Sequence, residues 1–193
     1  MNTIRLYHTG FQIIEKPDRR AGRKNADFGQ GFYLSDDVEF SRRWARQRTG
    51  MTTYLNEYEL DPDGLKIRKF VRDCEWFDYI LNNRAGRPDP LADYDVIIGP
   101  IAPDTIFETW GIITGGVLDR EESLELLKIG KAYEQTVIKT EKGLASLRFL
   151  GADVITAEET NTYLEILRQE EERFQEAFTK RVETMMEADD ENR

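Results

Sequence analysis

The stretch 25-NADFGQGFYLSDD-37 places two glycines directly before a short run of strand-forming residues. The run at residues 32–34 is typical of a buried β-strand, whereas Gly29 and Gly31 weaken any regular element that contains them. The residues alone allow two interpretations. The glycines belong to a turn that leads into a core strand, or they let the backbone approach a flat ligand while an aromatic ring stacks on it. A phosphate-binding fingerprint is excluded, because there is no third glycine and no helix directly after the glycines.

The segments around this stretch alternate between strand and helix patterns, which predicts a mixed α+β domain at residues 1–156 and an acidic helical extension at residues 157–193. Residues 10–27 form a polar loop of a length that is usually functional or mobile. Strand patterns at 52–60 and 65–71 flank the turn 61-DPDG-64 and predict a β-hairpin. The other predicted strands are residues 3–7, 95–101, 134–140 and a last strand ending near 155, and the predicted helices are residues 35–48, 74–84, 120–131, 141–147 and 157–193.

Capping residues support three of these helices, and they lie in 35-SDD-37, at Asp73, and at Asp119 with Glu122. Phe40 and Trp44 are four residues apart, so they share one face of the first helix. Residues 105–113 fit either a strand or a short helix.

Length and composition limit the class of protein. The chain has 193 residues, of which 39% are hydrophobic, so it can bury a core of its own. No apolar run approaches the about 20 residues that span a bilayer, and the start MNTIRLYHTG lacks the hydrophobic region of a signal peptide. The single cysteine, Cys74, excludes an internal disulfide, and we expect a soluble cytoplasmic protein. One histidine and one cysteine argue against a zinc site, and we expect no metal.

The negative charge is concentrated at one end of the chain. The net charge is −10; residues 157–193 carry 12 acidic and 5 basic side chains, whereas residues 1–50 carry 10 basic and 6 acidic ones. The basic N-terminal third can hold an anionic ligand. The acidic helix is either a solvated helix packed by one face or a docking helix for an inhibitory partner or a second copy, and its charge does not separate the two.

Few residues outside the opening stretch suggest chemistry. His8, the only histidine, follows the first predicted strand in 6-LYHTG-10, where a lone histidine is more often structural than catalytic. Thr9 and Gly10 predict a turn that exposes backbone groups to a ligand. One histidine leaves nothing on which to build a serine–histidine–aspartate triad, and no carboxylate spacing argues for a general acid–base pair.

Several blocks taken together resemble one bacterial family, catalogued as domain of unknown function 3990 and grouped with the ADP-ribosyltransferase superfamily. The resemblance covers residues 3–152 in order, and it rests on His8 and on the blocks 16-KPDRRAGRKNADFGQGFYLSDD-37, 43-RWA-45, 76-WFDYILNNRAGRP-88, 96-VIIGPIAPD-104 and 133-YEQTVIKTEKGLASLRFL-150. It implies an ADP-ribosyltransferase-like split β-sheet with peripheral helices, with NAD held in the cleft between two sheets.

The resemblance also implies a role for individual residues. In the histidine–tyrosine branch of the superfamily, the residue matched by His8 binds a ribose hydroxyl and the one matched by Tyr33 stacks on the nicotinamide ring. The backbone beside His8, at Thr9 and Gly10, grips the nicotinamide carboxamide. Gln135 matches a third motif position that is usually glutamate. The implied NAD site further includes Asp27, Phe28, Gly29, Gly31 and Phe32. Of the basic residues in the loop before this stretch, Arg19, Arg20, Arg23 and Lys24, we assign Arg23 to the pyrophosphate, because an arginine fork suits that group.

These matches predict an NAD-dependent mono-ADP-ribosyltransferase that acts on a macromolecule, more often a protein than a nucleic acid. They further predict that the protein is a toxin or defence effector and that an antitoxin or other inhibitory partner restrains it. Cleavage of the nicotinamide bond develops positive charge on the ribose, so the site should hold the ribose hydroxyls and fix the leaving group. Two other hypotheses remain: a non-catalytic NAD-binding or protein-interaction module, and an NAD glycohydrolase.

Gln135 is the departure from the family pattern. An amide can orient a ribose hydroxyl but cannot activate an acceptor, which favours single-unit transfer or hydrolysis over chain growth. Strand alternation places Glu134 on the opposite face from Gln135. The carboxylates that could assist are those of Asp27, Asp104, Glu134 and Glu141.

Overall fold

The computed structural model describes residues 3–102 and 120–191, with backbone alone at residue 120 and at residues 186–191. These ranges form two small sheets, several helices and one long C-terminal helix, so the predicted α+β class is confirmed. The strands are β1 (Ile4–Gly10), β2 (Phe32–Leu34), β3 (Thr53–Leu60), β4 (Ile67–Lys69), β5 (Val96–Pro100), β6 (Glu134–Ile138) and β7 (Leu147–Ile155). The helices are α1 (Val38–Arg42), α2 (Cys74–Arg84), α3 (Arg120–Leu127), α4 (Glu141–Ala145) and α5 (Ala157–Glu191).

The first sheet has the strand order β1-β3-β7, and both pairs are antiparallel. β1 continues to Gly10, so the predicted strand end at residue 7 and the predicted turn at Thr9 and Gly10 are wrong. The cause is pairing with β3, which a scan of local residue types does not reveal. The partners of His8, Thr9 and Gly10 are Asn56, Leu55 and Tyr54.

The second sheet has the order β2-β6-β5-β4, with β4 and β5 parallel and the other pairs antiparallel. The predicted hairpin between β3 and β4 is therefore wrong. Its turn does form, since Leu65 N–H donates to the Pro62 carbonyl at 3.2 Å. However, β1 and β7 occupy both edges of β3, so no edge is left for β4, which crosses to the second sheet.

Among the described residues, backbone hydrogen bonds join the two sheets at one point. Tyr7 and Ser35 exchange two hydrogen bonds, of 2.8 and 3.0 Å, and form an isolated antiparallel bridge between β1 and β2. Between the sheets lies a core that includes Leu6, Phe32, Leu34, Tyr58, Leu60 and Ile138. A second core packs the far face of the second sheet against α2, and it includes Phe28, Trp76, Phe77, Ile80 and Val137.

The short helices begin where their capping residues predict. Asp37 accepts from Phe40 N–H, and Asp73 accepts from Trp76 N–H, both at 2.9 Å. α1 ends at Arg42 rather than near residue 48, because the following residues form tight turns and Arg46 Nη1 donates to the carbonyls of residues 43 and 45. α3 ends at Leu127, before the predicted 131. Residues 105–113 and the Asp119 cap lie outside the described residues.

The long helix α5 runs back along α1 and α3. Glu170 accepts from Arg43 Nη1 at 2.7 Å and lies against Tyr133, and Phe174 packs beside Gly130. Arg181 lies 3.7 Å from Glu125 on α3. Among the helices of the described ranges, none has the length and apolar character needed to cross a bilayer.

Candidate functional site

His8 lies at the edge where the two sheets diverge. Its Nδ1 is 2.8 Å from the Tyr33 carbonyl, and its ring packs on Phe32 with the centroids 4.8 Å apart. A carbonyl only accepts, so Nδ1 must carry the proton, and in the neutral ring Nε2 is then an acceptor. Burial lowers the pKa of His8 below its usual range, against the smaller raising effect of the Tyr33 hydrogen bond. The imidazole is therefore neutral near pH 7.

Gly10 provides the space above this ring. A Cβ at Gly10 would lie 3.4 Å from His8 Nε2, which is ordinary contact but would cover the one acceptor atom of the ring. Glycine leaves that atom approachable from the end of β1.

The backbone of Thr9 faces the opening between the sheets. In an antiparallel pair, the backbone groups of alternate residues point to opposite sides of the strand. Tyr7 directs its N–H and C=O to Ser35, so Thr9, two residues later, directs its own in the same direction. Past the Tyr7 bridge the strands separate, and no described residue bonds to either group of Thr9. The Thr9 side chain points elsewhere and donates to the Ser41 carbonyl at 2.6 Å.

Tyr33 is held in one orientation by its hydroxyl. The hydroxyl donates to the Gly29 carbonyl at 2.7 Å and accepts from Phe28 N–H at 3.0 Å. Burial raises the pKa of this hydroxyl, so it remains a donor. The ring packs partly buried against the core beneath α2, on the face opposite Phe32. Tyr33 therefore has a structural role in the glycine-containing turn.

Gln135 and Asp27 meet on the same face as Tyr33. Tyr33 pairs with Val137 across β2 and β6, and Gln135 lies two residues from Val137 on the same side. Gln135 Nε2 donates to Asp27 Oδ2 at 3.2 Å, and both residues are 8% exposed. Strand alternation is confirmed, because Glu134 turns to the other face, where Lys69 Nζ lies 3.3 Å from it.

Asp27 is the centre of a buried polar cluster. Its carboxylate pairs with Arg84 of α2, whose Nε is 2.5 Å from Oδ1, and it accepts from Ala102 N–H at 3.3 Å. Its backbone carbonyl accepts from Asn83 Nδ2 at 3.1 Å. A carboxylate can remain charged when buried if a guanidinium neutralises it and amide groups donate to it. Asp27 has both, so its carboxylate can accept from Gln135 Nε2 and fix the orientation of that amide.

The two glycines of the opening stretch make close approaches within the chain itself. Gly29 has φ +74°, and a Cβ there would lie 2.7 Å from Asp89 and 3.1 Å from Lys139. A Cβ at Gly31 would lie 2.5 Å from Val137 and 2.8 Å from the Ile138 carbonyl, both on β6. Both positions therefore require glycine even in the absence of a ligand.

Sequence reasoning missed the ion pair beneath this turn. Lys139 Nζ is paired with Asp89 and donates to the Phe28 carbonyl. Burial lowers the pKa of Lys139, and the Asp89 hydrogen bond opposes that effect. A lysine directly after the apolar run of β6 was the available signal, but its partner is 50 residues away in a loop.

The structure thus places most of the predicted residues in two groups on either side of β2. His8, Thr9 and Gly10 on β1 face the edge of β2, and Tyr33, Gln135 and Asp27 lie on the α2 side of that strand. Phe32 and Phe28 are core residues, on opposite faces. Arg23 is exposed, near enough for its charge to affect the pKa of Tyr33 beside the larger effect of burial. Within the described ranges, no group of three or more histidine, cysteine or carboxylate side chains is placed to hold a metal ion.

Comparison with known proteins identifies the family. The model of the family described as "Protein of unknown function (DUF3990)" matches residues 4–149, from the start of β1 into β7. The match covers most of the chain, and the protein therefore belongs to the DUF3990 family. No curated protein and no solved structure matches the chain.

Proposed function

We propose that this member of the DUF3990 family is an NAD-dependent mono-ADP-ribosyltransferase with an ADP-ribosyltransferase-like split sheet. The observation that carries the proposal is the opening between β1 and β2, where the N–H and C=O of Thr9, which bond to no described residue, lie next in the chain to His8 with its accepting Nε2.

The backbone of Thr9 suits a primary carboxamide. Nicotinamide offers one amide donor and one carbonyl acceptor side by side, and a single strand residue offers the complementary acceptor and donor. These backbone groups are fixed by the pairing of β1 with β3, so they would bind the carboxamide without reorganisation.

His8 suits the ribose beside it. A neutral imidazole with its proton on Nδ1 accepts from a ribose hydroxyl through Nε2. The Tyr33 carbonyl sets this tautomer and holds the ring in place. A neutral His8 is favourable here, because the ribose becomes positively charged as the bond to nicotinamide breaks and a charged imidazolium would repel it.

Tyr33, Gln135 and Arg23 complete the proposed site. The Tyr33 ring, fixed through its hydroxyl, is available at its exposed part to stack on nicotinamide, and such stacking contributes about 0.5–1.5 kcal/mol beyond burial. Gln135 uses its Nε2 on Asp27, which leaves its Oε1 to accept from a ribose hydroxyl. Arg23 is the exposed arginine beside this turn and is assigned to the pyrophosphate.

The test is consumption of NAD labelled on its adenylate moiety, with protein and nucleic-acid fractions of a bacterial lysate as acceptors. We expect labelled macromolecule and an equal amount of released nicotinamide. His8→Ala should remove both, whereas Glu176→Ala at an exposed position of α5 should leave both unchanged. If no fraction is labelled and no nicotinamide is released, the proposal is wrong.

The same experiment separates the alternatives. Release of free ADP-ribose without labelled macromolecule identifies an NAD glycohydrolase. Calorimetric binding of NAD without nicotinamide release identifies a non-catalytic module, for which the amide at Gln135 is the favouring observation. As a toxin or defence effector, the wild type should slow bacterial growth on expression, and His8→Ala should not.

A further inference from the structure

An open groove of about 580 Å³ lies at one end of the first sheet. One wall is the segment after α1, with Arg46, Arg48 and Met51, and the other is the end of β7 and the start of α5, with Val154 and Thr156. The strand residue Thr53 lies at its floor and donates through Oγ1 to the Arg46 carbonyl at 2.7 Å. The groove is thus built on a fixed backbone.

The charge of the groove is opposite to that of the chain. Its described lining contains two arginines and no acidic side chain, in a protein of net charge −10. Both arginines are exposed, and no described carboxylate forms an ion pair with either. Hydrogen bonds to two backbone carbonyls hold Arg46 in place, whereas most other arginines near α1 are paired, for example Arg42 with Glu159 and Arg43 with Glu170.

The groove opens on the α1 face of the first sheet, opposite the His8 ring, and it shares with the proposed NAD site the end of the sheet at Gly10. The Thr53 side chain faces the segment after α1, whereas the His8 ring packs on Phe32 between the sheets. Gly10 pairs with Tyr54, and Thr53 is the next residue on β3, so its Cα is about 6 Å from that of Gly10 by strand geometry. The wall of the groove also continues directly from α1, whose Ser41 carbonyl holds the Thr9 side chain. A chain lying in the groove would reach the end of β1 within a few residues.

We infer that this groove binds an acidic segment of a protein and that the group modified is an ionised Asp or Glu side chain of that segment. The inference rests on the proposed transferase function. Two independent observations lead to it. The two arginines, which form no ion pair with a described carboxylate, select negative charge. Gln135 in place of a carboxylate supplies no base, so the acceptor must arrive already nucleophilic.

The step balances without a proton transfer. A carboxylate oxygen of the acceptor forms a bond to the anomeric carbon of the nicotinamide ribose as the carbon–nitrogen bond to nicotinamide breaks. The electron pair of that bond leaves with nicotinamide, which neutralises the positive ring nitrogen. The products are neutral nicotinamide and an ADP-ribosyl ester of the side chain.

The lining favours a peptide over a nucleic acid. A strand of nucleic acid is usually held by aromatic rings on which its bases stack, and the described lining has none. It has instead the exposed side chains of Met51 and Val154, which suit the apolar side chains of a peptide, and threonine hydroxyls, which suit its backbone. The strong negative charge of the rest of the chain would also repel a long polyanion.

The test uses adenylate-labelled NAD with two matched peptides, one rich in Glu and one with Gln at every such position. We expect label on the Glu peptide alone, with one nicotinamide released per label, and removal of the label by neutral hydroxylamine, which cleaves such esters. Arg48→Glu and Val154→Glu, on opposite walls, should each reduce the initial rate about three- to tenfold at low salt and less at high salt. Arg173→Glu on exposed α5 makes the same charge change and should have no effect.

Three results would overturn the inference. They are equal labelling of the two peptides, label that resists hydroxylamine or appears on nucleic acid, and an equal effect of Arg48→Glu and Arg173→Glu. In each of these cases NAD is still consumed, so the transferase proposal survives. If no nicotinamide is released with either peptide or with lysate, both proposals fail together.

Discussion

The contact between Gln135 and Asp27 predicts that a glutamate at position 135 would destabilise the folded protein, and Gln135→Glu tests that prediction. The substitution would place a second carboxylate about 3.2 Å from Asp27 Oδ2, where one arginine already neutralises one charge. At an effective dielectric constant of 20, two such charges repel by about 5 kcal/mol. In the folded state, the introduced carboxyl group should therefore remain protonated at pH 7.

The resulting loss of stability depends on pH in a defined direction. The introduced carboxyl group would have a folded-state pKa raised above its unfolded value of about 4.3, so the unfolded state releases its proton first as the pH rises. The free energy of unfolding, relative to the wild type, should be nearly unchanged at pH 4.3 and fall by about 1.4 kcal/mol per pH unit above it. The expected loss is about 3.5 kcal/mol at pH 7.

The assay is urea unfolding at pH 5, 6 and 7, followed by tryptophan fluorescence, to which the buried Trp76 contributes. Asp27→Asn combined with Gln135→Glu exchanges the amide and the carboxylate, and should recover most of the loss at pH 7. Gln12→Glu, at an exposed position, should change stability by less than about 0.5 kcal/mol. A loss in Gln135→Glu that does not grow with pH would refute the reasoning.

Three further predictions follow from the site. NAD affinity should be constant from pH 8 to about 6.5 and fall only in more acid solution, because burial lowers the pKa of His8. Calorimetric titration with NAD at a series of pH values measures the affinity. A fall in affinity whose midpoint lies at or above pH 6.5 would contradict the prediction. Gly50→Ala should lower the free energy of unfolding by about 1 kcal/mol, because its positive φ is unfavourable for alanine. Gly29→Ala should lower it by at least about 1 kcal/mol more, because the added Cβ would also collide with Asp89. Urea unfolding measures both changes. Asn56 is fully buried and binds three backbone groups of β1 and the loop after it. Asn56→Ala should therefore lower the free energy of unfolding by about 2–4 kcal/mol and expose residues 11–31 to limited proteolysis. An unchanged cleavage pattern would show that other contacts hold the loop.

The features that were predicted correctly depend on neighbours in the sequence. The Asp37 and Asp73 caps act on N–H groups three residues away, and the alternation of Glu134 and Gln135 is a property of any strand. The α+β class follows from the same local periodicities. These signals need no knowledge of the remote chain.

The features that were missed are decided by pairing across the chain. The turn after β3 has the residues of a hairpin turn, but β3 was already paired on both edges, by strands from opposite ends of the domain. The Asp27–Arg84 and Lys139–Asp89 pairs join residues 57 and 50 positions apart. No local pattern distinguishes these charges from the many solvated ones.

In the proposed reaction, the choice of acceptor depends on the polar cluster around Asp27, and one double variant tests this dependence. With Asp27 in place, a carboxylate at position 135 is held protonated and cannot act as a base. With Asp27→Asn and Gln135→Glu together, the single negative charge moves to position 135, where it can accept a proton from a hydroxyl acceptor. This double variant should label a Ser peptide that the wild type leaves unlabelled, while labelling of the Glu peptide persists. If the double variant folds, binds NAD and still ignores the Ser peptide, the lack of a base at position 135 is not what limits the acceptor.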